Sequence, residues 1–203
     1  MAEPAKSSVE ATSPQQLQRL NFVLEELKTS SSAASIASAR ELLLEYGKFV
    51  IAQQTVASFC YGALEQEAAA LPYSYLKQKG GAILVLADDH PIGFVAWRAL
   101  PDPALGHAWE LKRLWIRPEA RGTGTGRALV QAVIDRAVAA GKSLLLLDTE
   151  PSAMAAAHRL YLQMGFVERE PYNGRSPDGI IYLEKVLESS ENPLRSPRAH
   201  VNY

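Results

Sequence analysis

Three glycines alternate at positions 122, 124 and 126, interleaved with Thr123 and Thr125 and flanked by Arg121 and Arg127. Residues of these types at this spacing suit the holding of a phosphate group. The first turn of a helix leaves its amide hydrogens unpaired, and the helix dipole makes that end partly positive. Glycines let the backbone approach a bulky anion and adopt unusual dihedrals, and the two arginines add full charges. An ordinary glycine-rich strand-to-helix turn would look the same, so the glycines alone do not say whose phosphate is bound. Two common motifs fail a direct test. The dinucleotide fingerprint G-x-G-x-x-G needs glycine where Arg127 or Leu129 stands, and the G-x-x-x-x-G-K-[ST] string is absent.

The loop lies inside a strand, turn and helix reading from Glu110 to Leu129. Residues 111–116 are an apolar, strand-like run that Pro118 stops, because proline has no amide hydrogen for a ladder. After the glycines, Leu129, Val130, Val133, Ile134 and Ala137 share one helical face, and Gly141 is an end signal.

The string R-x-x-G-x-G at residues 121–126, preceded by Leu114-Trp115-Ile116-Arg117-Pro118, resembles the acyl-CoA-binding motif of the GNAT family of N-acetyltransferases. A second block, from Ala157 through Tyr161 to Gly165-Phe166, is similar to that family's A-x-x-x-Y-x-x-x-G-F. The blocks stand in the family's order, and the resemblance extends from about residue 20 to about 187. It implies an α/β fold with a mixed central sheet splayed between its fourth and fifth strands and flanked by helices. It further implies acetyl-CoA as acyl donor and transfer of an acetyl group to a primary amine by direct attack in a ternary complex.

That reaction makes three demands. The amine must be neutral to attack, although a lysine-type amine is mostly protonated at neutral pH. The developing oxyanion needs a donor, and the departing thiolate needs a proton. The resemblance assigns the thiolate's proton to Tyr161 and the amine's proton to a carboxylate near the central strand, for which Glu110 is the candidate. Spacing alone leaves Tyr161 open as a core tyrosine, because Ala157, Leu160 and Met164 share its helical face. Glu110 is likewise open as an ion-pair partner of Lys112 or Arg113. Strand alternation puts Glu110 on one face with Lys112, Leu114 and Ile116. By resemblance, the backbone at Leu114, Trp115 and Ile116 pairs with the pantetheine arm and supplies the oxyanion donor, while Ala157 and residues 121–127 contact the rest of the cofactor. The sequence departs from the family at Met154, where an asparagine is frequent.

Elsewhere the chain divides into a flexible tail (1–16), a domain (17–187) and a polar, proline-containing tail (188–203) that reads as disordered. Residues 17–28 are ambiguous: Leu17, Leu20, Leu24 and Leu27 have helical spacing, but the family begins with a strand, which is the preferred reading. Helices are expected at 34–53 and 61–70, then a loop at 72–76 whose Tyr73 and Tyr75 either line an acceptor pocket or pack. Residues 82–87 and 92–100 form a hairpin. Leu144 to Leu147 read as a strand covered on both faces, and a helix is expected to start at Glu150-Pro151-Ser152. Two last strands, 166–170 and 179–187, flank a loop at 171–178 that offers Tyr172 and Arg175 to the acceptor. Arg175 would suit a carboxylate, pointing to an amino acid or peptide end.

Composition excludes other classes. Lys plus Arg number 21 and Asp plus Glu 22, a formal charge of −1, so no general basic field calls for nucleic acid or an anionic membrane. The single cysteine, Cys60, rules out an internal disulfide framework or a cysteine metal cluster, and its neighbours Phe59 and Tyr61 suggest a buried thiol. The four histidines, at 90, 107, 158 and 200, show no close metal-ligand spacing, so no metal is expected. No apolar run nears the ~20 residues of a membrane span, and nothing resembles a secretory signal, so an intracellular, cytoplasmic location is expected. A non-catalytic acyl-CoA-binding module of the same fold and a protein-lysine acetyltransferase are the alternatives; monomer and dimer both stay open.

Overall fold

The computed structural model describes residues 21–53, 61–100, 102–174 and 178–188. The expected N-terminal tail, residues 189–203, Cys60 and Arg175 lie outside the described residues. Strand β1 (Val23–Glu26) opens the fold, so the leucine periodicity there gives way to pairing: Val23 to Glu26 run antiparallel to Leu86 to Ile83. Helix α1 (Ala33–Ala52) follows a serine N-cap, in which Ser32 accepts from the Ser35 amide. Next come α2 (Tyr61–Ala69) and a short α3 (Tyr73–Leu76) where a loop was expected. That turn closes because the amides of Leu76 and Lys77 reach the carbonyls of Pro72 and Tyr73.

Strands β2 (Gly81–Ala87) and β3 (His90–Ala99) make the expected hairpin and lead to the central strand β4 (Ala108–Ile116). Helix α4 (Thr125–Ala139), strand β5 (Leu144–Thr149), helix α5 (Ala155–Gln163) and strands β6 (Val167–Arg169) and β7 (Ile181–Val186) complete the described chain. Helix α5 begins later than Pro151 suggests. The Glu150 carbonyl accepts the amides of Ala153 and Met154, holding residues 151–153 in a turn.

The seven strands form one mixed sheet in the order β1-β2-β3-β4-β5-β7-β6. Its one parallel pair, β4 with β5, is in register only at Ala108, Trp109 and Glu110, opposite Leu144, Leu145 and Leu146. Beyond Glu110 and Leu146 the two strands part, and the sheet opens as the resemblance implied. Leu145, Leu146 and Leu147 are fully buried, as an unbroken leucine run without polar alternation requires. One face of the sheet packs Leu129, Val133 and Tyr161 of α4 and α5 against Val95, Leu111 and Leu183. The other packs Leu42, Leu43, Leu64 and Tyr75 of α1 to α3 against Leu84, Phe94 and Trp115.

A bulge in β4 corrects one expectation. Phe94 pairs with Trp115 but Ala96 pairs with Lys112, so β4 carries one residue more than β3 across this interval. Arg113 absorbs it with φ of 59°. Consequently Leu111, Leu114 and Ile116 face the α4 and α5 side while Trp115 faces α1. Glu110 therefore does not share a face with Leu114 and Ile116. A side chain at positive φ costs roughly 1–2 kcal/mol. It is offset by the Arg113 guanidinium, which donates to both carboxylate oxygens of Glu67 at 3.2 Å and lies over the Tyr46 ring.

Candidate active site

The glycine loop is built for shape. Gly124 caps α4 with φ of 91° and Gly122 has φ of 79°, and a Cβ on either would meet nothing within 4 Å. These two are therefore required for their left-handed dihedrals, which no L side chain adopts freely. Gly126 serves another end: a Cβ there would stand 3.3 Å from Leu160 Cδ2 and 3.7 Å from Ile116 Cγ1, so the hydrogen lets α4 approach α5 and β4. The Thr123 hydroxyl donates to the Ala120 carbonyl at 2.7 Å and lies 2.8 Å from the Thr125 hydroxyl. Both threonine side chains thus brace the loop. No side chain caps the N-terminus of α4, which leaves that end's amides and dipole for an anion.

A groove of about 560 Å³ runs from this loop between β4 and α5. Of the residues expected around the cofactor, Leu114, Trp115, Ile116, Arg121, Gly122, Gly124, Gly126, Arg127 and Ala157 border it, while Thr123 and Thr125 do not. Arg121 donates from Nε to the Ile116 carbonyl at 3.1 Å, and its guanidinium lies 5.0 Å from the Trp115 ring and 5.7 Å from that of Phe49. Arginines and free amides at one end and Phe49, Leu114 and Leu160 along the walls match a long molecule with phosphates at one end, as acyl-CoA is.

The opening between β4 and β5 forms a second cleft of about 80 Å³. Leu114, Ala153, Met154 and Ala157 line both groove and cleft, so the two are continuous. Tyr161 lines the cleft from α5; it is buried, packs against Phe166 with ring centroids 5.6 Å apart, and its hydroxyl has no partner among the described residues. Burial pushes its pKa well above the ordinary tyrosine value.

Glu110 is 1% exposed and fully partnered. Its Oε2 accepts from Arg98 Nε at 2.5 Å, its Oε1 accepts from the Tyr172 hydroxyl at 2.9 Å, and Lys112 Nζ stands 3.5 Å away. Burial raises the carboxyl's pKa, but the charges of Lys112 and Arg98 and the hydrogen bonds of Arg98 and Tyr172 outweigh it, so the net shift is downward. Burial and the Glu110 charge push the Tyr172 phenol up. Lys112 also reaches Asp148 Oδ1 at 3.9 Å, bridging the opening from β4 to β5.

The other acceptor candidates lie apart. Tyr75 is a core residue, 1% exposed, with its hydroxyl donating to Glu67; Tyr73 is exposed on α3. Neither borders the groove or the cleft. Sequence reading missed Tyr46 and Phe49, which α1 presents to the two hollows, and Lys112, Asp148 and Glu150 in the cleft. One signal pointed to the last two: Asp148-Thr149-Glu150 ends a strand on the carboxyl side of the parallel pair, where α/β sheets bind ligands.

A mixed sheet opened between two parallel strands, with an uncapped glycine-loop helix at its mouth, defines the GNAT form of the α/β fold. The family model described as Acetyltransferase (GNAT) family matches residues 50–166, and the chain belongs to that family. It is 35% identical over 105 residues to an uncharacterized N-acetyltransferase of Schizosaccharomyces pombe, covering 51% of this chain and 62% of that protein. It is 40% identical over 79 residues to an IAA acetyltransferase of Azospirillum brasilense, covering 38% and 51%. The chain thus spans between half and two thirds of the length of these curated relatives. Among solved structures, the PaiA N-acetyltransferase of Thermoplasma acidophilum in complex with coenzyme A has the same fold, with a TM-score of 0.63 at 15% identity over 82% of this chain and 99% of that one. An acetyltransferase of Streptococcus agalactiae gives 0.64 at 20% identity over 82% and 98%. Among the described residues, no helix is long and apolar enough to cross a membrane and no metal-binding group of His, Cys, Asp and Glu converges.

Proposed function

We propose that the chain is an acetyl-CoA-dependent N-acetyltransferase acting on a primary amine, with a small molecule, an amino acid or a peptide end as acceptor. The observation that carries this is the continuity of the glycine-loop groove with the cleft that holds Tyr161, through the shared walls Leu114, Met154 and Ala157. Bound acetyl-CoA would supply a thioester whose carbonyl carbon an amine can attack. The α4 amides, Arg121 and Arg127 would hold the phosphates, and the β4 backbone at Leu114 to Ile116 would orient the arm. Tyr161, protonated throughout the neutral range and with a free hydroxyl, is suited to give its proton to the leaving thiolate. Glu110 is suited to stay ionised and to hold Tyr172 and Lys112 in place; as a direct acceptor of the amine's proton its lowered pKa makes it weak. The relative described as an IAA acetyltransferase supports a small acceptor over a folded protein's lysine.

Calorimetric titration with acetyl-CoA, beside desulfo-CoA, dephospho-CoA and nucleotide controls, tests the donor, and thiol release with a panel of amines tests the transfer. Saturable binding preferring acetyl-CoA, followed by amine-dependent thiol release, is the expected result. Binding without transfer to any amine would support a non-catalytic acyl-CoA module instead.

A further inference from the structure

We propose that Glu150 receives the acceptor as its ammonium ion and takes the proton that frees the amine, an inference that rests on the acetyltransferase reading above. Glu150 follows the last residue of β5, where that strand has parted from β4, and it lines the cleft. It is 7% exposed. Its Oε1 accepts from the Ser152 hydroxyl at 3.2 Å, and its Oε2 is buried with no partner among the described residues. The loop before β7 covers it, since a Cβ on Gly179 would stand 3.8 Å from Oε1.

A buried carboxylate without a cation is unfavourable, and a fold gains nothing by keeping one unless a cation arrives. The cleft's own cations are committed elsewhere. Lys112 lies between Glu110 at 3.5 Å and Asp148 at 3.9 Å, and Arg113 is held by Glu67 at 3.2 Å. The remaining titratable groups facing the cleft are Tyr46 from α1 and Tyr161 from α5, both raised in pKa by burial and therefore neutral. Gly179 and Ile180 bring no charge from the β7 side. Among the described residues, Glu150 is the one charged group lining the cleft that lacks an opposite charge, and an incoming ammonium supplies it. Val50, Leu111, Leu114 and Ile180 line the same cleft and suit an apolar stem behind the nitrogen. In the proton step an N–H bond of the ammonium breaks, an O–H bond forms on Glu150, and the electron pair stays on nitrogen, now neutral. The proton passes to solvent when the product leaves.

Benzylamine and its neutral counterpart benzyl alcohol are suitable probes, measured by ligand-observed NMR against the full chain with and without CoA. The expected result is that benzylamine binds, that benzyl alcohol binds at least about 10-fold more weakly, and that Glu150→Gln removes the difference, because only the charge is lost. Unchanged acetyl-CoA affinity in Glu150→Gln shows that the variant is folded. Equal binding of both probes to the natural chain, or benzylamine binding that survives the substitution, overturns the proposal. With acetyl-CoA present, thiol release from benzylamine is expected to fall about 100-fold in Glu150→Gln near neutral pH, the usual scale of a lost general base. That deficit should shrink as pH rises through the amine's own pKa. A deficit constant with pH overturns the proton-transfer half. Benzylamine bound through Glu150, with no thiol release from it or from any amine of the panel, would keep the ammonium site and refute the acetyltransferase reading, so the two failures are distinguishable.

Discussion

The Tyr172 hydroxyl donates to Glu110 Oε1 at 2.9 Å, joining the loop after β6 to the central strand across the open part of the sheet. Since the bonded oxygen belongs to a carboxylate held ionised by Arg98 and Lys112, this is a charge-assisted bond rather than a neutral one. Tyr172→Phe removes it while keeping the ring, which packs edge-on to Tyr182 at 5.3 Å. A loss of roughly 1.5–3 kcal/mol is expected, measured by urea denaturation. A loss near zero would mean that the loop holds itself without Glu110.

The ionisation of Glu110 should appear in acid stability. Its pKa is lowered in the folded chain, so its stabilisation is present above the unfolded value of about 4.3 and is lost as pH falls through the folded value. The natural chain is therefore expected to lose stability below about pH 5 more steeply than Glu110→Gln. Thermal midpoints of both at pH 7 and pH 3.5 check this, and parallel curves would show that Glu110 is not the group concerned.

Tyr161→Phe isolates the proposed proton donor. Burial, with no side-chain hydrogen bond, raises the hydroxyl's pKa, so removing the hydroxyl breaks no side-chain hydrogen bond of the fold. Turnover is expected to drop about 100-fold, a typical general-acid contribution, with acetyl-CoA affinity and thermal midpoint nearly unchanged. Equal losses in turnover and affinity would make the residue structural.

Gly124→Asp tests the phosphate loop. The position has φ of 91° and open space for a Cβ, so the backbone strain is about 1–2 kcal/mol and there is no steric clash. The added negative charge at the helix N-terminus should weaken acetyl-CoA binding well beyond that strain. Calorimetry with Gly124→Ala alongside separates the two, because alanine brings the strain without the charge.

The parts of this site legible in the sequence were those set by local rules. The glycines, the proline that stops β4 and the apolar face of α4 each follow from near neighbours in the chain, whereas the slot of Tyr161 follows from the family resemblance. The parts that were not legible depend on residues far apart. Nothing in Glu-Leu-Lys-Arg-Leu-Trp-Ile marks Arg113 as the residue that will take φ of 59°; the partner that permits it, Glu67, lies 46 residues earlier. Tyr73 and Tyr75, two residues apart on α3, part between solvent and core because α3 packs one side on the sheet. In the sequence Glu150 looks like part of a helix start, and only the cleft geometry shows what surrounds its carboxylate.

An ordinary open sheet has two edges, and this one has four. The sides of β4 and β5 that face each other beyond Glu110 and Leu146 have no strand partner among the described residues, like the free side of an outer strand, although β3 and β7 cover their other sides. Exposed edges invite other polypeptides to add strands. These two face each other inside the molecule, where a whole strand from a neighbour cannot reach them but a thin chain carrying amides can. In the acetyltransferase reading, the same open edges that threaten solubility on a surface would serve, in the interior, as a filter that admits molecules by their width.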